Sequence, residues 1–137
     1  MTLSFHLVIV LSVCCHFVQA SYLMTTVAGS GSTSTSGNGG PATSAGISNF
    51  YGMWTDSLGN LFLPDSSNNQ WRKVDTSGII RAYIGSGTQS NAGIGGSALS
   101  VNLDGVGCPY GDTAGNLYLT SFNLFVWFYN HTSGYVS

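Results

Sequence analysis

The feature that most constrains this chain is that it repeats itself. Shifted by 56 positions without a gap, residues 25–81 match residues 81–137 at 18 of 57 pairs, more than a bias toward Gly and Ser supplies. Gly29-Ser30-Gly31 returns as Gly85-Ser86-Gly87, and Gly37, Gly39, Gly40 and Ala42 return as Gly93, Gly95, Gly96 and Ala98. Asp56-Ser57-Leu58-Gly59-Asn60-Leu61-Phe62-Leu63 returns as Asp112-Thr113-Ala114-Gly115-Asn116-Leu117-Tyr118-Leu119. Trp71 returns as Trp127, and Thr76-Ser77-Gly78 as Thr132-Ser133-Gly134. A stretch that occurs twice is one supersecondary unit built twice, so residues 21–80 and 81–137 are expected to fold alike.

Within a unit, turn residues mark the strands. Tyr51 to Thr55 is a short aromatic-rich run that ends at Asp56. Asp56 to Asn60 is a turn, because Asp accepts backbone N–H bonds and Gly and Asn tolerate positive φ. Asn60 to Leu63 is the return strand, with Leu61 and Leu63 on one face and Phe62 on the other. Ser66 to Asn69 turns again, Gln70 to Val74 is a third strand, and Thr76-Ser77-Gly78 leads into a fourth, Ile79 to Ile84, where Ile80, Ala82 and Ile84 share a face. The composition agrees: 19 Gly, no Glu and only 6% charged residues disfavour long helices, since Gly costs about 1 kcal/mol against Ala there and Ser, Thr and Asn compete for backbone bonds. Four short antiparallel strands followed by a long Gly-rich passage describe one propeller blade. The expected fold is all-β, two four-stranded antiparallel blades of an incomplete β-propeller, with the second unit ending at Tyr135-Val136-Ser137, where its fourth strand should begin. Two blades cannot close a ring of typically about 4–8. A fragment of a longer propeller, or a subunit that self-associates through open sheet edges, is therefore expected.

Residues 1–20 read as an address. Leu7 to Val18 is almost wholly apolar, too short to span a bilayer core of about 30 Å as a helix. It fits the core of a signal peptide, and Val18-Gln19-Ala20 offers the small residues needed for cleavage after Ala20. The mature chain is then secreted, and Cys14 and Cys15 leave with the leader. Cys108 becomes the one mature thiol, expected to be buried as a small apolar residue or to pair with another chain. Asn130-His131-Thr132 is a glycosylation sequon at an expected turn, which marks Asn130 as a glycan acceptor.

Candidate chemistry is sparse. Asp56 and Asp112 occupy equivalent places in two units, which points to a repeated turn before a carboxylate site. Asp65 has Ser121 at its matching place, so no repeated ring of metal ligands is expected, and calcium needs several converging oxygens. The Gly-rich passages 29–46 and 85–96 lack the Lys-Ser/Thr and following helix of a phosphate cradle. They are expected to be exposed connections whose surface is open to binding. Phe122 to Tyr129 carries Phe122, Phe125, Trp127, Phe128 and Tyr129; this run is either strand core or a contact surface for another chain. Five Asp against Arg72, Lys73 and Arg81 give a net charge of -2, which argues against nucleic acid and anionic membranes as partners.

In these motifs the sequence resembles the NHL-repeat β-propellers, in their long Gly-rich-loop variant. The resemblance rests on Thr26-Val27-Ala28-Gly29, Gly39-Gly40-Pro41-Ala42-Thr43, the Asp56–Asn60 turn, and Asp65-Ser66-Ser67-Asn68-Asn69-Gln70-Trp71-Arg72-Lys73-Val74. It spans residues 25–134 and is fullest in the first unit. The second unit loses Arg-Lys-Val, and Pro64 stands where the family usually has a small residue and would remove a strand donor. The resemblance implies a secreted, non-catalytic recognition module for a protein or a glycan, with no catalytic, metal or cofactor residues assigned. Two other readings stand beside it: a fragment of a propeller lyase or hydrolase, and a structural repeat that assembles through its sheet edges.

Overall fold

The computed structural model describes residues 23–49 and 51–137, so the expected leader and its cleavage after Ala20 lie outside the described residues. The described chain is all-β: two four-stranded antiparallel sheets, with only two single-turn 3-10 segments, Ala42–Ser44 and Ser66–Asn68. The first sheet runs in order through β1 (Trp54–Thr55), β2 (Leu61–Asp65), β3 (Gln70–Val74) and β4 (Ile80–Ile84). The second runs through β5 (Val106–Gly111), β6 (Leu117–Ser121), β7 (Val126–Asn130) and β8 (Tyr135–Val136). Each strand of the second sheet overlaps the 56-residue translate of its counterpart, and β8 forms where the sequence placed only the start of a fourth strand. The two sheets do not close into a ring.

The β1–β2 and β5–β6 turns are made the same way. Asp56 Oδ1 accepts the amides of Leu58 and Asn60 at 3.0 and 2.8 Å, and Oδ2 accepts Asn60 Nδ2 at 2.7 Å. Asp112 repeats this with Ala114 and Asn116, the Asn116 Nδ2 bond measuring 2.9 Å. Gly59 and Gly115 supply the positive φ, +88° and +83°, that closes each turn at no steric cost. Pro64 lies inside β2, where the sequence reading ended the strand at Leu63. Since β1 pairs only with Leu61 and Phe62, Pro64 has a partner strand on one side only, the edge setting in which sheets accept proline.

The Gly-rich connections are more than exposed passages. Each folds back on the last strand of its own unit. Gly39 N donates to Ile80 O and Ile80 N to Gly40 O, and Gly95 N donates to Val136 O and Val136 N to Gly96 O. The first passage, and the stretch that follows the second, also bring apolar residues into the core: Ala42 and Ala45 in the first unit, Val101 and Leu103 in the second, all buried. Ala42, Ala45 and Ile47 cover Leu61, Leu63, Val74 and Ile80 on one face of the first sheet. On the other face, Phe62, Trp71 and Ile84 meet Val101, Leu103, Val106, Leu117, Leu119, Trp127, Tyr129 and Val136 of the second unit. Ile80 and Ile84 thus bury into different faces. A register shift at Trp71/Arg72 against β4 leaves Tyr83 unpaired between them, and such a bulge breaks the strict alternation the sequence reading assumed.

The repeat also slips by one residue. Leu63 pairs with Arg72, but Leu119, its translate, pairs with Trp127 rather than with Phe128. The cause is loop length: the β2–β3 loop holds residues 66–69 between Asp65 and Gln70, whereas Ser121 N donates to Phe125 O across residues 122–124. A slip of one residue sends a side chain to the opposite face of its sheet. Trp71 and Trp127, matched in sequence, therefore point toward each other across the interface, with ring centroids 6.3 Å apart and planes at 83°. The next loop restores the register. Asp75 N donates to Ile79 O across residues 76–78, while Asn130 pairs with Tyr135 across residues 131–134.

Candidate functional site

Two clefts lie at opposite ends of the sheet interface. The first, about 330 Å³, sits at the Asp-turn end and is lined by Trp54, Asp56, Phe62, Lys73, Tyr83 and His131 among others. Trp54 reaches this cleft by crossing to the second sheet over Gly111, where an added Cβ would lie 2.3 Å from the indole. Lys73 Nζ stands 5.5 Å from the centroids of both Phe62 and Tyr83, a cation held over two ring faces. The Tyr83 hydroxyl contacts that of Tyr129 at 3.3 Å. Burial, aided by this contact, pushes the Tyr83 phenol well above its ordinary range, so it stays neutral at any physiological pH.

The carboxylates at this end are engaged in backbone work. Partial burial raises the Asp56 pKa, but the bonds from the Asn60 side chain and from the Asn60 and Leu58 amides outweigh it and leave the group lowered. The Asn116 side chain chiefly holds Asp112 below the usual carboxylate range, joined by the amides of its turn. Asp75 is held lower still by the Ser77 hydroxyl, then by the Ile79 amide and Arg81, with the Arg81 pair at 2.7 Å on the surface. Groups ionised and saturated in this way serve poorly as general acids or bases near neutral pH.

The second cleft, about 360 Å³, lies between the β2–β3 and β6–β7 loops and is lined by Asn49, Tyr51, Asn69, Gln89, Asp104, Phe122, Asn123 and the neighbouring serines. Asp104 Oδ1 accepts Gln89 Nε2 at 2.8 Å and Oδ2 accepts Asn123 Nδ2. Tyr51 and Phe122 meet edge to face, with centroids 5.3 Å apart. The sequence marks Phe122 as a member of the aromatic run and places Gln89 in a passage open to binding; it reads Tyr51, Ser66, Ser67 and Asn69 only as strand and turn residues, and gives Asn49, Asp104 and Asn123 no role. That run divides: Trp127 and Tyr129 are core, while Phe122, Leu124, Phe125 and Val126 are exposed.

The other sequence candidates fall as follows. Asn130 ends β7, half-buried, and its Oδ1 accepts the Ser133 amide at 2.8 Å. His131 packs over Gly115 and donates its amide to Asn116 Oδ1. Cys108 is exposed, which overturns the burial expected as one of its two alternatives. It sits at an irregularity in the β5–β6 pairing, between the buried Gly107 and Pro109, so alternation turns it outward. Asp65 is a structural group: it accepts the Ser48 amide and Asn68 Nδ2 and pairs with Arg72 at 3.1 Å, both side chains fully buried. Among the described residues, no group of three or more His, Cys, Asp or Glu gathers as for a metal ion. Among the same residues, no helix is long and apolar enough to cross a membrane.

No protein-family model matches the chain. No curated protein matches it in sequence either.

Proposed function

We propose that the chain is a secreted, non-catalytic recognition module, a run of NHL-type propeller blades that holds a protein or a glycan at its loops. The observation that carries this reading is the stacking of the two units. The second sheet and its connection rest on the Phe62–Trp71–Ile84 face of the first, which is how blades follow one another in a propeller. The matching face of the second sheet is left open: Tyr118 is 42% exposed where Phe62 is 4% exposed. The saturated turn carboxylates favour recognition over acid–base chemistry, and so does the placing of both clefts at loop ends, where rigid scaffolds carry binding residues. Secretion and a glycan on Asn130 belong to the same reading and rest on the sequence motifs. The open aromatic face favours a second reading, assembly with further sheets, which is compatible with the first.

The test is to immobilise the folded chain and measure its binding to arrayed glycans and to a panel of secreted and cell-surface proteins. Saturable binding of at least one ligand that is released chemically unchanged is expected. Conversion of a ligand, or failure to hold any from either class, overturns the proposal.

A further inference from the structure

The chain supplies its own control for judging the second cleft, because the same positions occur twice. In the first unit, positions 48 and 65 are Ser48 and Asp65; in the second, positions 104 and 121 are Asp104 and Ser121. Asp65 is wholly buried and spent on Arg72, Asn68 and the Ser48 amide. The acid has moved to the opposite member of the pair as Asp104, which faces the cleft half-exposed and, among the described residues, meets two side-chain amides. Beside it Phe122 and Asn123 replace Ser66 and Ser67. Ser66, the counterpart of this aromatic, is buried and donates to Val106 O across the interface, so the first unit folds with a serine at the same place.

Phe122 lies against Gly105, where an added Cβ would come within 2.7 Å of the ring. Phe122 and Tyr51 are each 56% exposed. An exposed pair of rings, a carboxylate fixed by two amides, and further amides from Asn49 and Asn69 thus line one hollow. Among the described residues, no Lys, Arg or His lines it. An anionic ligand would meet Asp104 without a counter-charge, and a wholly apolar one would strip the amides of partners. The ligand that suits both halves is neutral, with an apolar C–H face for the rings and several hydroxyls for the carboxylate, whose two oxygens accept about four bonds in all. The volume stands at the low end of small-ligand sites, roughly 300–1,000 Å³. We propose that the cleft between the 66–69 and 122–124 loops is a saccharide subsite, with the edge-to-face pair Phe122 and Tyr51 as its apolar wall and Asp104 and Asn123 as the hydroxyl partners. This rests on the recognition-module reading and narrows it to one ligand class and one place.

The test is NMR titration of the folded chain with glucose, galactose, mannose and N-acetylglucosamine, each taken to about 50 mM to reach weak, millimolar affinities. At least one sugar should shift the amides of Tyr51, Gly105, Phe122 and Asn123 saturably. Phe122→Ser restores the residue of the first unit and, like Tyr51→Ala, should weaken binding about tenfold or more. Asp104→Asn should weaken it by about the same factor. If no sugar saturates, or if binding survives Phe122→Ser and Tyr51→Ala in variants with unchanged spectra elsewhere, the subsite is wrong. Shifts confined to Trp54, Lys73 and His131 also overturn it, while leaving the wider recognition reading standing.

Discussion

The two sheets share a turn chemistry and a strand order, yet they differ in what fills the same space. Where the first unit closes its outer face with Arg72, reaching Gly46 O and Ser36 O at 3.3 and 3.0 Å, the second puts Trp127 opposite the equivalent leucine and packs it on the first sheet. Where the first unit buries its loop-end acid, the second turns its acid to the surface. A repeated backbone can therefore be stabilised by an ion pair in one copy and by aromatic packing in the next. Backbone hydrogen bonds set the frame, and the side chains are free to differ.

The largest test of this contrast is Asp65→Asn beside Asp104→Asn. Asp65→Asn leaves the Arg72 guanidinium buried without its counter-charge, a change that costs about 3–5 kcal/mol. Asp104→Asn, in a half-exposed setting, should cost less than about 1 kcal/mol. Denaturant unfolding measures both, and equal losses would break the distinction between a structural and a surface acid.

The tryptophans offer a second comparison. Trp71 Nε1 donates to Gly107 O at 3.2 Å, whereas Trp127 Nε1 is buried with no partner among the described residues. Both Trp→Phe variants lose packing, but Trp71→Phe also strands a buried carbonyl. It should therefore be the less stable of the two by about 1–2 kcal/mol in the same unfolding experiment.

How much of this was legible beforehand depends on which residues carried it. The Asp56 and Asp112 turns, the four strands of the first unit and the all-β class were readable, because turns rest on local chemistry that Asp, Gly and Asn announce by themselves. The slip of β7 was not. A residue is missing from one loop and an extra one stands in the next, so an ungapped comparison still matches Trp71 to Trp127. The core role of Ala42, Ala45, Val101 and Leu103 was hidden for another reason: isolated apolar residues among Gly and Ser show no period. The second cleft draws on residues 49, 51, 66–67, 69, 89, 104–105 and 122–123. No local pattern joins segments so far apart, and only the stacking of the two sheets does.

The smallest predicted effect lies in the loops themselves. Asn69 and Leu124 end their hairpin loops with φ of +51° and +66°. Asn accepts that conformation readily, whereas Leu pays roughly 1–2 kcal/mol for it. Leu124 is also 96% exposed, so Leu124→Asn sacrifices no packing and should stabilise the fold by about 0.5–1 kcal/mol. Asn69→Leu should do the reverse, and a thermal melt of each variant checks the pair.

The compensating loops have a bearing on how such a chain can change over generations. Deleting one codon in the first hairpin reverses every side chain of the strand behind it, and inserting one in the next hairpin returns the chain to its former course. Neither event alone keeps the neighbouring sheets in step, but the two together do. Duplicated segments can thus exchange interior for surface along a single strand while their ends stay in place. Aligning copies by identity alone then assigns residues to the wrong side of that strand, and any role transferred between copies there should follow the hydrogen-bonded partner instead.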